Sequence, residues 1–214
     1  MDLSTQAQNL YEQVSTEGAK LGELRKLAKE IKRDHDLALE LWTTGHYHAR
    51  MLAILIMDKK QLTQQVIDKL DEGLRQHEEA ERNQLTDWLM ANQITKDKKA
   101  LALLNGWQHH ASPTLRRMYW YYQGRLRWMG NTPPDNTAAL MEAIEKELTQ
   151  EVPEVQWAMN FTACWIGVFE TDFRARCIEL GEKTGLYQGL PVAKNCTPEY
   201  LPEFIEIEAG KRGI

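Results

Sequence analysis

A basic and aromatic segment between residues 94 and 127 has the residue types to meet a polyanion. Seven of its residues are basic and one is acidic: Lys96, Lys98, Lys99, Arg116, Arg117, Arg125 and Arg127, against Asp97. Five aromatic residues lie among them: Trp107, Tyr119, Trp120, Tyr121 and Tyr122. Clustered positive charge with aromatic residues is typical of a nucleic-acid surface, although the whole chain carries a net charge of −5. The alternative is a solvated charged face with core aromatics.

The predicted helix over 113–129 sharpens the nucleic-acid interpretation. One apolar stripe at helical spacing is expected to pack inward: Leu115, Tyr119, Tyr122 and Leu126. The two remaining flanks each place a guanidinium beside an indole, and Arg suits both phosphate contacts and stacking. The predicted DNA-binding residues are Arg116, Arg117, Arg127, Trp120, Lys98 and Lys99.

A second aromatic row is predicted on a helix over 153–168, where Trp157, Phe161 and Trp165 recur every four residues. Val155, Met159, Thr162 and Ile166 form the expected core stripe of the same helix. An aromatic row at this spacing usually belongs to the core. If this helix lines a groove, the row is instead its wall.

Helices must position all of these residues, because apolar residues recur at helical period almost throughout. The chain has 214 residues, 43% of them apolar and 27% charged, which is typical of one globular domain. Predicted helices cover 20–33, 34–43, 46–57, 60–74, 79–92, 97–106, 113–129, 135–149, 153–168 and 171–183. After about residue 185 a loop-rich tail precedes a short acidic helix near 199–209. The predicted fold class is all-α.

A repeat appears in the spacing of Arg50, Arg82 and Arg117, which are 32 and 35 residues apart, with Trp157 a further 40 along. Each lies near the predicted start of the second helix of a helical hairpin. This period indicates an α-solenoid with a concave, partly basic face. The alternative is a chance rhythm in a helical bundle. We expect a single domain over 1–214, with repeats from about 15 to 183.

The sequence also indicates in which cellular compartment the protein is expected. The N-terminal residues lack a signal-peptide pattern, and no uncharged stretch is long enough to span a bilayer. Three cysteines without a CxxC spacing suggest buried thiols in a reducing cytosol. The pairs His46, His48 and His109, His110 do not share a helical face, so we expect no metal and no cofactor.

Three segments closely resemble a known family: 24–31 (LRKLAKEI), 38–42 (ALELW) and 46–54 (HYHARMLAI). They are similar to the opening repeats of the bacterial DNA alkylation repair glycosylases of the AlkD type. With Leu115, Arg116 and Arg117 the resemblance extends over about 15–183. It implies a HEAT-like solenoid whose concave face grips duplex DNA. It also implies hydrolysis of the N-glycosidic bond of cationic N3- or N7-alkylated purines, without a metal and without a base-flipping pocket.

The family's site consists of two tryptophans, an aspartate and an arginine. Matched by position, the catalytic aspartate falls on Asp87 and the arginine on Arg117. The first tryptophan falls on Asn83 and is lost. The second falls on Phe161, which is aromatic but smaller, and Trp157 is a further lesion-facing candidate. Trp88 and Trp157 are no simple substitutes, because one position along a helix turns a side chain by about 100°.

The resemblance therefore predicts a monomeric, cytoplasmic, monofunctional alkylpurine DNA glycosylase that acts on duplex DNA. The alternative is a HEAT-like scaffold of the same family that binds DNA or protein without catalysis. A binder needs the basic residues but not the aromatic cage, so Asn83 and Phe161 are where the two hypotheses differ.

Overall fold

Twelve α-helices and three short 3₁₀ helices form within the residues that the computed structural model describes, which are 3–16, 19–130, 133 and 135–214. None of these residues is in a β-strand. The all-α prediction is therefore confirmed. The chain divides into two units, Met1–Trp107 and Gln108–Ile214. The prediction of a single domain stays a prediction.

The first unit contains seven helices. They are α1 (Thr5–Val14), α2 (Leu21–Ile31), α3 (His35–Thr43), α4 (Tyr47–Ile56), α5 (Gln64–Leu74), α6 (Glu79–Asn92) and α7 (Lys98–Leu103). Side-chain caps begin several of them: Asp34 accepts from the backbone N–H of Leu37, and Asp97 accepts from those of Lys99 and Ala100. Such caps satisfy N–H groups that have no partner inside the helix.

Helix α4 is the centre of this unit, because it packs against α1, α2, α3 and α6. Residues 51–54 and Ile56 are completely buried, as the nearly apolar sequence predicts, whereas Leu55 is half-buried. A helix surrounded on several sides must be apolar on more than one face.

The second unit contains five helices: α8 (Pro113–Trp128), α9 (Thr137–Glu147), α10 (Pro153–Phe169), α11 (Thr171–Thr184) and α12 (Leu201–Arg212). Helix α10 contacts the other four. Pro113 and Pro153 occupy first-turn positions, where the missing N–H removes no helical hydrogen bond.

Close helix packing at α10 depends on glycine. A Cβ at Gly124 would lie 2.6 Å from Cδ1 of Phe161, so α8 approaches that ring only because Gly124 has no side chain. A Cβ at Gly167 would lie 2.4 Å from Cδ1 of Ile205, so α12 packs on α10 for the same reason.

The predicted helices agree with the observed ones except in four places. One is the predicted helix over 60–74, where a 3₁₀ turn over 59–61 precedes α5, which begins only at Gln64. Helix α1 was not predicted, although Ala7, Leu10, Tyr11 and Val14 recur in it at helical spacing; of its residues only Ala7 and Val14 are buried. The predicted helix over 97–106 is α7 followed by a 3₁₀ turn over 104–106. The final helix begins at Leu201 and ends at Arg212, later than the predicted 199–209.

Candidate nucleic-acid interface

Four aromatic side chains follow one another along α10 at four-residue spacing. Trp157 and Phe161 stack, with ring centroids 5.4 Å apart and an interplanar angle of 19°. Phe161 meets Trp165 edge-on at 6.2 Å, and Trp165 stacks on Phe169 at 5.8 Å. The predicted alignment of Trp157, Phe161 and Trp165 is confirmed, and the row continues by one further turn.

Helix α8 adds an aromatic ring and a cation to the first half of this row. Tyr121 stacks on Trp157 and Phe161, with centroids 6.2 and 5.3 Å apart. The guanidinium carbon of Arg117 lies 5.2 Å from the ring centroid of Trp157 and 5.9 Å from that of Tyr121. These four residues form the aromatic–arginine cluster. It brings together Arg117, Trp157 and Phe161, which the sequence singled out in separate stretches.

The edge of the cluster is occupied by the C-terminal tail. The indole N–H of Trp157 donates to a carboxylate oxygen of Glu199 at 2.6 Å. The side-chain amide of Asn160 donates to the Glu199 carbonyl at 2.8 Å. Trp157 and Phe161 are half-buried, and Arg117 is only 4% exposed. A ligand would therefore meet ring surface here, since the indole N–H is already satisfied.

Two predicted DNA contacts are wrong for this structure, because their side chains are in the core. Trp120 is 0% exposed and Arg127 is 2% exposed. Arg127 donates to the carboxylate of Glu170, to Thr137 Oγ1 at 2.8 Å and to the carbonyl of Gln123 at 3.0 Å. The sequence placed these residues on an open flank of α8, but α10 packs along that helix and buries a wider face than one apolar stripe.

Arg116 is engaged rather than open. Its Nε and Nη2 donate to the two carboxylate oxygens of Glu151, each at 2.9 Å, and its Nη1 donates to the carbonyl of His110 at 2.7 Å. Its side chain is 16% exposed. The paired geometry that suits phosphate is already used on a carboxylate. Arg116 therefore holds the loop before α8 in place, and a DNA contact would require it to leave Glu151.

Lys98 and Lys99 are exposed at the start of α7. Their contact with DNA remains a prediction. Both are long cations on a helix N-terminus that Asp97 caps.

Asp87 and Asn83 are half-buried and lie one turn apart on α6, in the first unit. The aromatic–arginine cluster belongs to the second unit. Next to Asp87, Trp88 donates its indole N–H to the carbonyl of Met51 at 3.2 Å and lies under the guanidinium of Arg25. These contacts tie Trp88 to α2 and α4. That Trp88 is no substitute for a tryptophan at position 83 stays a prediction.

The histidine, acidic and cysteine side chains of the described residues are the candidates for a metal site or a reactive thiol. Within the described ranges, no group of three or more His, Cys, Asp or Glu residues is placed to hold a metal ion. Burial raises the pKa of the Cys177 thiol to about 12, and Cys164 is also buried with a raised pKa. Cys196 is exposed, so the prediction of buried thiols is wrong for that residue.

No described helix combines the length and apolar character needed to cross a bilayer.

Several residues of the interface were not singled out for it in the sequence. Phe169 was detectable, because it continues the four-residue spacing of the aromatic row. Glu199 and Arg212 were not. Glu199 contacts Trp157, and the guanidinium carbon of Arg212 lies 4.9 Å from the ring centroid of Trp165, each from more than 40 residues later in the chain. Helical periodicity carries no information about contacts of that range.

The fold and these residues define an all-helical protein with a candidate nucleic-acid surface. The family model described as DNA alkylation repair enzyme matches residues 3–162. The chain belongs to this family.

Two relatives extend the comparison. An uncharacterized protein of Listeria innocua is 25% identical over 170 residues, which span 78% of this chain and 72% of that protein. A solved structure matches with a TM-score of 0.67 at 19% identity, covering 99% of this chain and 90% of that one. It is described as a new family of proteins related to the HEAT-like repeat DNA glycosylases with affinity for branched DNA structures. At this identity the match establishes the fold, and the HEAT-like prediction is confirmed.

Proposed function

We propose that this protein binds duplex DNA and hydrolyses the N-glycosidic bond of purines alkylated at N3 or N7. The observation that carries the proposal is the aromatic–arginine cluster. Arg117 and Phe161 match the family's site by position in sequence, and both lie against Trp157 in space. Membership of the DNA alkylation repair family supports the same chemistry.

The proposed mechanism uses charge rather than strong acid catalysis. An alkylated purine of this class is cationic and already a good leaving group. As the bond breaks, positive charge develops on the sugar, and a carboxylate stabilises it and positions the attacking water. Asp87 is the residue that matches the family's carboxylate, so we assign this role to it.

The aromatic–arginine cluster has a binding role in this proposal. Ring faces attract a cationic base, by about 0.5–2 kcal/mol for each favourable contact. Phe161 and Trp157 supply these faces. Arg117 is nearly buried, so it orients the rings and adds positive potential toward the DNA backbone rather than acting as an open phosphate clamp.

The remaining parts of the proposal concern the partner and its location. Duplex DNA lies along the concave face that the resemblance implies, with Lys98 and Lys99 contacting phosphates because both are exposed. We further infer a cytoplasmic monomer without a metal or cofactor.

Asp87→Asn tests the catalytic assignment. The substitution keeps the shape of the side chain but removes its charge, so release of 7-methylguanine from duplex DNA should slow by about 10²–10³-fold. Binding to the same duplex should hold or tighten slightly, because a carboxylate near phosphates repels them. The measurements are free base released by excess protein and fluorescence anisotropy of the labelled duplex.

The matched control is Asp68→Asn, which removes one charge from another half-buried helical aspartate of the same unit. It should leave release unchanged. Unchanged release by Asp87→Asn would refute the assignment of the carboxylate.

A second candidate function is DNA binding without excision. The observation that favours it is the half-buried amide of Asn83, where the family's site has an indole. The solved structure related to this chain is described by its affinity for branched DNA. If the wild type binds a four-way junction but releases no base, this candidate replaces the first, and Asn83→Trp becomes the variant that tests restored excision.

A further inference from the structure

A second group of stacked rings lies at the C-terminal ends of α8 and α10, beyond the aromatic–arginine cluster. Trp128 stacks on Trp165 at 6.2 Å with an interplanar angle of 28°, and Trp165 stacks on Phe169 at 5.8 Å and 20°. We call Trp128, Trp165 and Phe169 the terminal platform. The planes of Trp128 and Phe169 are each tilted by less than 30° from the plane of Trp165.

The central ring of the terminal platform is buried, and its two outer rings are exposed. Trp165 is 5% exposed and is fixed by the edge of Phe204, whose ring centroid is 5.1 Å away. Trp128 and Phe169 are 45% and 38% exposed. Exposed aromatic rings leave apolar surface in water, and a patch of them often marks a binding site. The buried ring of Trp165 stacks on each of them and so helps to hold both in place.

Two guanidinium groups border the terminal platform. The guanidinium carbon of Arg125 lies 5.9 Å from the centroid of Trp128. That of Arg212 lies 4.9 Å from Trp165 and 5.8 Å from Phe169. Arg212 shares its charge with the Glu208 carboxylate, whereas Arg125 has no carboxylate of a described residue within ion-pair distance. The platform therefore combines flat ring surface with positive charge.

We propose that the terminal platform binds an unpaired nucleobase of DNA, with Arg125 contacting the adjacent phosphate. Every base has a face that stacks on an aromatic ring, and cationic side chains beside the ring attract the backbone. A fully paired duplex offers no exposed base face except at its ends. The ligand is thus a single-stranded or unpaired nucleotide next to a duplex. This inference rests on the DNA-binding part of the proposed function and not on excision.

The test compares two DNAs of equal phosphate number: a blunt duplex and a shorter duplex with a single-stranded thymidine overhang. Wild-type protein should bind the overhang DNA more tightly. Trp128→Ala should weaken that binding about tenfold, within the range that one base–aromatic stack contributes, and leave blunt-duplex binding unchanged. Phe169→Ala should act in the same direction. The control is Met129→Ala, which removes the neighbouring exposed apolar side chain, 56% exposed, without removing a ring.

A direct readout separates stacking from a structural role of these rings. With 2-aminopurine as the first unpaired base, stacking on the platform should quench its fluorescence when wild-type protein binds. Trp128→Ala should bind at higher protein concentration and quench less at saturation. Circular dichroism and thermal unfolding establish that the variant is folded.

Each other outcome overturns a defined part of the inference. Equal wild-type affinity for the two DNAs, an equal loss by Trp128→Ala on both, or unchanged quenching would overturn the terminal platform while leaving the proposed function standing. Failure of the wild type to bind either DNA would overturn the platform and the proposed DNA binding together.

Discussion

Arg50 is nearly buried, at 3% exposure, close to the start of α4. Its guanidinium donates to the carbonyl of Gly73 at 2.7 Å, to the carbonyl of Trp42 at 3.1 Å and to Gln76 Oε1 at 3.0 Å. Burial lowers the pKa of Arg50. The side chain therefore connects the end of α5 to that of α3. Arg82, the next arginine of the sequence repeat, also donates to the backbone, at the His77 carbonyl.

Arg50→Met should destabilise the protein by about 2 kcal/mol. Methionine fills much of the volume but donates no hydrogen bond. Hydrogen bonds from a charged donor contribute about 1.5–3 kcal/mol each to stability. Part of that loss is offset, because the variant no longer has to remove a charge from water on folding. The measurement is the free energy of unfolding from urea titration.

Arg33→Met is the matched control for the loss of an arginine. Arg33 is 62% exposed and lies 3.5 Å from Asp58, so its removal should cost less than about 1 kcal/mol. Equal destabilisation by the two substitutions would contradict the structural role of Arg50.

Helix α12 is held to the tail by one carboxylate. Glu208 Oε1 accepts from Lys211 Nζ at 2.8 Å and from the Thr197 hydroxyl, and Oε2 accepts from Arg212. Burial raises the pKa of Glu208, but hydrogen bonds from Lys211, Thr197 and Arg212 outweigh burial and lower the pKa to about 2. Because Arg212 also lies on Trp165, this network connects the tail to the aromatic row.

Glu208→Gln should reduce stability in a way that depends on pH. A carboxyl group whose pKa is lower in the folded state than in the unfolded state stabilises the protein at pH values above its ordinary pKa of 4.5. This contribution to stability is lost as the pH falls toward 2. The difference in unfolding free energy between wild type and variant should therefore be full at pH 7 and shrink below about pH 4.

The exposed neighbour Glu206 provides the control, and Glu206→Gln should show little difference at any pH. A Glu208→Gln effect that is independent of pH, or that grows in acid, would contradict the network described for α12.

Over the whole molecule, the sequence predicted every helix after α1 but not which helix faces are covered by neighbouring helices. Periodicity predicted α4 and its buried segment, and the spacing of Trp157, Phe161 and Trp165 predicted their shared face. It could not show that α10 covers Trp120 and pairs Glu170 with Arg127. Charge counts treat every arginine as exposed, whereas burial depends on which helix packs against it.

The sequence predicted some residues of the candidate site but not the contacts among them. Position matching chose Arg117 and Phe161, and the structure brings both against Trp157. It did not show Tyr121 between them as a stacked ring, because that contact depends on the close approach that Gly124 allows. Nor did it show the tail carboxylate of Glu199 on the indole.

The proposed excision is driven by the positive charge of the alkylated base. Two otherwise identical duplexes, one carrying 7-methylguanine and one carrying the neutral O6-methylguanine, separate charge from methylation. Excess wild-type protein at pH 7 should release free base from the first duplex well above the rate in buffer, and from the second not at all. Release from neither duplex, or equal release from both, would contradict charge-driven excision by this protein.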